Sequence, residues 1–156
     1  MAIDGPDGEG YTVPFLINGE DVHPERSFDV TSPATGKVVH RSGSASEVEV
    51  QAAVDAATEA FKTWKKTTPQ QRRNIFIKTA EIMGKRKEEL AKYMMEETGC
   101  PQQWADFNIM TAKDFLYDVG GRISSLEGSF PTTNNVETGA IVLREPFGVV
   151  LAIAPW

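Results

Sequence analysis

The side chains that could do chemistry in this sequence are two histidines, one cysteine and two pairs of adjacent glutamates. His23 and His40 stand in β-rich segments with no cysteine or carboxylate at metal-ligand spacing, so a three- or four-ligand site is not expected and both read as surface residues. Cys100, in Thr98-Gly99-Cys100-Pro101, follows the end of one helix pattern and precedes another. Thiolates become reactive at helix N-termini or beside cations; the local field here is mixed and no histidine is near, so Cys100 reads as a small structural residue. Glu88-Glu89 and Glu96-Glu97 lie among Lys85, Arg86, Lys87 and Lys92. Charges of both signs at helical spacing describe a solvated face, whereas acid–base work needs a desolvated or closely coupled carboxyl. Neither phosphate-binding glycine pattern occurs, and Gly120-Gly121 follows a helix pattern rather than a strand, so it reads as a helix terminator. No residue is thereby nominated as catalytic, and none as a metal ligand.

The composition narrows the setting. Of 156 residues, 40% are hydrophobic and 24% charged, as in an ordinary globular protein. A net charge of −6 argues against nucleic acid or an anionic membrane surface as the main partner. One cysteine excludes an internal disulfide and suits a reducing, cytoplasmic setting. No apolar stretch approaches the ~20 residues of a membrane span. The opening MAIDGPDGEG has no basic or apolar region typical of a leader, so residues 1–12 are expected to be a solvated, disordered tail.

Elements follow from local chemistry. Asn18-Gly19 after Phe15-Leu16-Ile17 predicts a hairpin, because both central residues of that turn need positive φ. Ser32-Pro33-Ala34-Thr35-Gly36 is a turn between the extended segments Phe28-Asp29-Val30 and Val38-Val39-His40. Ser46-x-x-Glu49 is a capping box, and Val50, Val54, Ala57, Phe61 and Trp64 predict the buried face of a helix to about residue 64. Thr68, Pro69 and Gln71 start a second helix with Ile75, Phe76, Thr79, Ala80 and Met83 inward. Residues 85–97 continue helical with Leu90, Met94 and Met95 inward, stopped by Gly99 and Pro101. A further helix is expected over 103–119 with Trp104, Phe107, Thr111 and Phe115 on its core stripe. Residues 124–138 read as a long connection, 139–144 as a strand and 149–153 as a closing strand buried on both faces of a parallel sheet. Such a strand needs a crossover of a dozen or more residues to reach a parallel neighbour, so the chain is expected to be the front part of a larger α/β protein.

Pro146-Phe147-Gly148-Val149-Val150-Leu151-Ala152-Ile153-Ala154-Pro155-Trp156 closely resembles the P-x-G-V-x-x-x-I-x-P-W motif of the NAD(P)-dependent aldehyde dehydrogenases. Phe15-Leu16-Ile17-Asn18-Gly19-Glu20 is similar to the family's F-I-N-G-E strand, and Ser32 to Gly36 to its N-P-A-T-G turn, with Ser for Asn. The helix ending Ala60-Phe61-Lys62-Thr63-Trp64 and the helix with Arg72-Arg73 follow in the family's order. Gly121-Arg122-Ile123-Ser124-Ser125-Leu126-Glu127-Gly128 resembles the branch acting on aromatic aldehydes, the salicylaldehyde and vanillin dehydrogenases. Cys100 departs from the pattern, since many members carry Lys there.

The resemblance implies an α/β fold: the N-terminal part of the aldehyde dehydrogenase fold, with short β-hairpins, several α-helices and the first strand of a Rossmann-like domain. Residues 13–156 would be an incomplete section of the cofactor-binding domain, including strands of the oligomerisation type. It implies aldehyde oxidation with NAD or NADP, a small-molecule aldehyde partner, and a homo-oligomer or association with full-length relatives. Ile153, Ala154, Pro155 and Trp156 match the stretch lining the cofactor cleft. The family's oxyanion asparagine, general-base glutamate and nucleophilic cysteine match no residue of this sequence. The chain alone is therefore expected to have no dehydrogenase activity, since thiohemiacetal formation, oxyanion stabilisation and water activation each need one of them. The competing expectations are a non-catalytic module that pairs with full-length relatives and a small unrelated interaction domain.

Overall fold

A computed structural model describes residues 11–154. The described residues open with five strands: β1 (Thr12–Val13), β2 (Phe15–Ile17), β3 (Glu20–Val22), β4 (Ser27–Thr31) and β5 (Val38–Gly43). β2 and β3 form the expected hairpin, with Ile17 opposite Glu20 and with Asn18 and Gly19 at φ 54° and 81°. β5 lies at the centre of a second sheet, antiparallel to β4 and parallel to β1. Thr12, expected in a solvated tail, pairs instead with Arg41, and the Tyr11 carbonyl accepts from the Arg41 amide at 2.8 Å. Residues 1–10 of that expected tail lie outside the described residues.

Four helices follow: α1 (Glu47–Trp64), α2 (Pro69–Lys85), α3 (Lys87–Thr98) and α4 (Gln102–Arg122), closed by a 3₁₀ turn (Ile123–Ser125). The sequence signals place their starts. Glu49 accepts from the Ser46 amide at 2.7 Å and also from its hydroxyl. At the next start the Thr68 amide donates to Gln71 Oε1 at 2.8 Å and the Gln71 amide donates to Thr68 Oγ1 at 3.2 Å, with Pro69 in the first turn. Gly99 stops α3 in the left-handed region at φ 69°. A side chain there would also press on the Ser32–Gly36 turn, since a Cβ would stand 3.0 Å from Pro33 Cγ.

α4 packs against both α2 and α3, and the seam is made of small residues. Ala80, Ala91, Ala105, Ile109 and Ile123 are buried, and Leu90, Met94, Met95 and Cys100 pack against the cluster of Ala91, Ala105 and Ile109. This corrects two expectations. Gly120-Gly121 does not end the helix, which runs on to Arg122. Gly120 is buried against α2, where a Cβ would come within 3.2 Å of Phe76 Cβ, so close helix approach explains this glycine. The stripe of Trp104, Phe107 and Phe115 is not core: all three are about half exposed or more, while Ala105 and Ile109 carry the contact. On α2, Phe76, Ala80 and Met83 turn inward as expected, but Ile75 and Thr79 are exposed. α1 has no buried residue; Val50, Val54 and Trp64 face outward because no described element lies over them.

Beyond Ser125 the described chain has a single β-bridge, Ser129 with Val142, its amides and carbonyls paired at 3.1 and 2.8 Å. The strand expected over 139–144 is reduced to that bridge. The strand expected over 149–153 is not formed: no described residue offers it the backbone partners a strand requires.

Candidate functional site

Of the residues expected to line a cofactor cleft, Pro155 and Trp156 lie outside the described residues. Ile153 and Ala154 are adjacent and open, Ile153 at 85% exposure. The turn that leads to them has Gly148 at φ 102° with Phe147 fully outward. From Phe147 to Ala154 every side chain is apolar or absent. Such a segment can supply one greasy wall. It cannot answer the phosphates of a dinucleotide, which need amide nests or cations. The described residues therefore fit an edge of a cofactor site and not a site, and no chemical step is assigned to them.

The other chemistry-bearing residues are held in structural roles. His40 is not the free surface residue its sequence position suggests: its side chain is only 16% exposed and Nε2 lies 3.2 Å from Glu97 Oε1. The pair ties β5 to the end of α3, a contact across 57 positions that local spacing cannot announce. Arg86 grips Glu89 with two bonds, 2.7 and 2.6 Å, which hold the Glu89 carboxyl below its ordinary range. Lys92 lies 3.9 Å from Glu96. Of the four glutamates named by sequence, Glu89 and Glu96 thus face cations and Glu97 faces His40, contacts that suit structural roles. Cys100 is free and half-buried, in a recess it shares with Met94, Thr98 and Trp104.

One groove was not foreseen. About 500 Å³ of open space lies against Gly84, Lys87, Gln103, Asp106, Phe107 and Met110. Lys87 Nζ and Asp106 Oδ1 meet across it at 3.0 Å, bracing α3 to α4. The hydrogen bond from Lys87, then that from Gln102 at 3.1 Å, holds the Asp106 carboxyl below its ordinary value. Both partners are solvent-accessible, so the brace adds little stability. Among the described residues no group of three His, Cys, Asp or Glu side chains could hold a metal ion. None of their helices is long and apolar enough to cross a membrane.

Comparison with known proteins gives this architecture its context. The family model described as the aldehyde dehydrogenase family matches residues 20–156. A vanillin dehydrogenase of Pseudomonas sp. strain HR199 is 35% identical over 148 residues, 94% of this chain and 31% of the relative. A salicylaldehyde dehydrogenase of Pseudomonas putida is 31% identical over 136 residues, 87% of this chain and 28% of the relative. The chain thus spans about a third of the length of the curated relatives it matches. Among solved structures, a salicylaldehyde dehydrogenase from Pseudomonas putida G7, complexed with salicylaldehyde, superposes with a TM-score of 0.81 at 27% identity, covering 88% of this chain and 29% of that one. A NAD-dependent benzaldehyde dehydrogenase from Corynebacterium glutamicum gives 0.73 at 25% identity, covering 80% and 28%.

Proposed function

The chain belongs to the aldehyde dehydrogenase family, and from that premise we propose that it contributes to oxidation of an aldehyde to a carboxylic acid with NAD or NADP. Its part in that work is structural: residues 13–156 form an incomplete section of the cofactor-binding domain. Ile153, Ala154, Pro155 and Trp156 supply an apolar wall against the cofactor. The aldehyde is aromatic. The observation that carries this reading is the fold shared with a salicylaldehyde dehydrogenase over most of the chain; the relatives named for vanillin and benzaldehyde point the same way. The working assembly is an oligomer in the cytoplasm, a setting that suits a chain with one unpaired thiol.

By itself the chain is inactive. Cys100, the one thiol, shares its recess with Met94, Thr98 and Trp104, none of which can serve it as a base. The experiment is a chimera in which this chain replaces the matching section of the Pseudomonas putida salicylaldehyde dehydrogenase. The chimera is expected to reduce NAD or NADP with salicylaldehyde, followed by nicotinamide absorbance, while the purified chain does not. A folded chimera that binds neither cofactor would refute the reading. A second reading, a non-catalytic module that associates with full-length relatives, is favoured by one observation: α4 turns a row of aromatic side chains to solvent.

A further inference from the structure

Of the four described α-helices only α1 has no buried residue, yet its apolar side chains keep a strict helical order. Val50, Val54, Ala57, Phe61 and Trp64 fall within an arc of about 80°, at ~100° per residue. All but Phe61 are exposed. The stripe points away from the molecule. On the opposite side of α1, Asp55, Ala56, Glu59 and Thr63 face Asn18, at the tip of the β2–β3 hairpin, across an open recess. Charge is divided along the same helix. Glu47, Glu49, Asp55 and Glu59 stand in its earlier part, and Lys62, Lys65 and Lys66 at its end and in the turn that follows. Several of these are committed locally: Glu49 to Ser46, Asp55 to Gln51, and Glu59 to Lys62. Glu47 and Lys65 stand exposed at the two ends. They are about five turns apart and so flank the stripe on one side. Lys65 Nζ lies 5.5 Å from the Phe61 ring centre, so its ammonium already borders the apolar surface.

We propose that two copies of this chain associate through α1, antiparallel about a twofold axis at Ala57, stripe on stripe, with Glu47 of each copy beside Lys65 of the other. The occupant follows from the charge. A parallel pair would set acid against acid and base against base. An antiparallel pair sets each acidic end against a basic end and closes on itself. Side-chain size agrees. The axis at Ala57 sets Ala57 against itself, Phe61 against Ala53 and Trp64 against Val50, so each large side chain meets a smaller one. Glu47 and Lys65 then lie about 3 Å out of register along the helix, which a lysine side chain spans. An anionic membrane surface is a poorer occupant, because Glu47 borders the stripe and the chain carries a net charge of −6. The proposal rests on the reading above for the oligomer alone; it names where two copies meet and needs nothing of the aldehyde chemistry.

The test is sedimentation of the purified chain, without cofactor or aldehyde, from about 1 μM to about 500 μM at low salt. A stripe about 27 Å long buries less than a standard interface, so a monomer–dimer equilibrium with Kd on the order of 10–100 μM is expected. Ala57→Glu, at the axis and exposed in the single chain, is expected to raise Kd at least ~10-fold, with helix content by circular dichroism unchanged. Glu47→Lys and Lys65→Glu report the direction of the pair. Each alone sets like charges together at both ends and is expected to weaken association by ~3-fold or more. An equal mixture of the two is expected to associate as the unaltered chain does, because each variant then meets its opposite. A chain that stays monomeric at about 500 μM overturns the proposal. So does a dimer that Ala57→Glu leaves intact, a mixture that associates no better than its components, or association with anionic vesicles alone. A dimer that behaves as described, beside a folded chimera that binds neither cofactor, overturns the dehydrogenase reading and leaves the interface standing.

Discussion

The seam between α2, α3 and α4 and the closing stretch of residues 126–154 use hydrophobicity in opposite ways. The seam is poor in large side chains. Its fully buried positions are Ala80, Ala91 and Ala105, which let backbones approach closely, and Ile109 fills the centre. The closing stretch holds Leu126, Phe130, Leu143, Phe147, Leu151 and Ile153, and every one is exposed. Burial in this chain therefore follows the supply of partners and not the apolarity of the residue. A helix can satisfy its own backbone and then seek one face of contact; an extended segment needs a neighbour for its backbone before its side chains can be covered.

The sharpest way to break that comparison is to empty the seam. Ile109→Ala should lower unfolding free energy by about 2–4 kcal/mol, the transfer term of the lost side chain plus the cavity it leaves between α3 and α4. Urea titration followed by circular dichroism measures it; a loss as small as that of a surface change would mean the seam is not the core. Gly99→Ala should cost about 1–2 kcal/mol, since its φ of 69° is left-handed and its Cβ would meet Pro33. The same titration reports it, and a neutral result would show that the Ser32–Gly36 turn does not rest on α3. In the closing stretch, Leu151→Ser and Ile153→Ser should each change stability by less than about 0.5 kcal/mol, as exposed substitutions do. A larger loss from either would show that this stretch is covered after all.

Acid should distinguish α1 from the seam. The hydrogen bonds from the Ser46 hydroxyl and amide hold the Glu49 carboxyl below its ordinary value. A depressed carboxyl contributes stability that is present above the unfolded value, about 4.3 for glutamate, and is lost as pH falls through the folded one. On acidification α1, with no buried residue to hold it, should loosen before α2 to α4. Amide exchange at mildly acidic pH reads this directly, and simultaneous opening of all four helices would contradict it.

Local signals were legible wherever one residue type satisfies a nearby backbone group. Both capping boxes, the Asn18-Gly19 turn and the Gly99 stop stand where the sequence places them. The apolar stripes were legible as periodicity but not as burial. Trp104, Phe107 and Phe115 keep helical spacing, yet the smaller residues on the adjoining arc, Ala105 and Ile109, are the buried ones. Of the expected cofactor residues, Ile153 and Ala154 are described, and their exposure follows from the missing strand. The His40–Glu97 pair had no sequence signal, because its partners belong to separate elements.

Residue chemistry within a few positions determined the helix starts, the turns and the family resemblance, since caps and turns are satisfied by groups already adjacent along the chain. Which apolar face became core, whether Gly120 ended a helix or sat between two, and whether 149–153 became a strand were decided only in three dimensions. Each of those outcomes depends on what a distant element presents at a separation of a few ångströms, and periodicity along one segment carries no record of that.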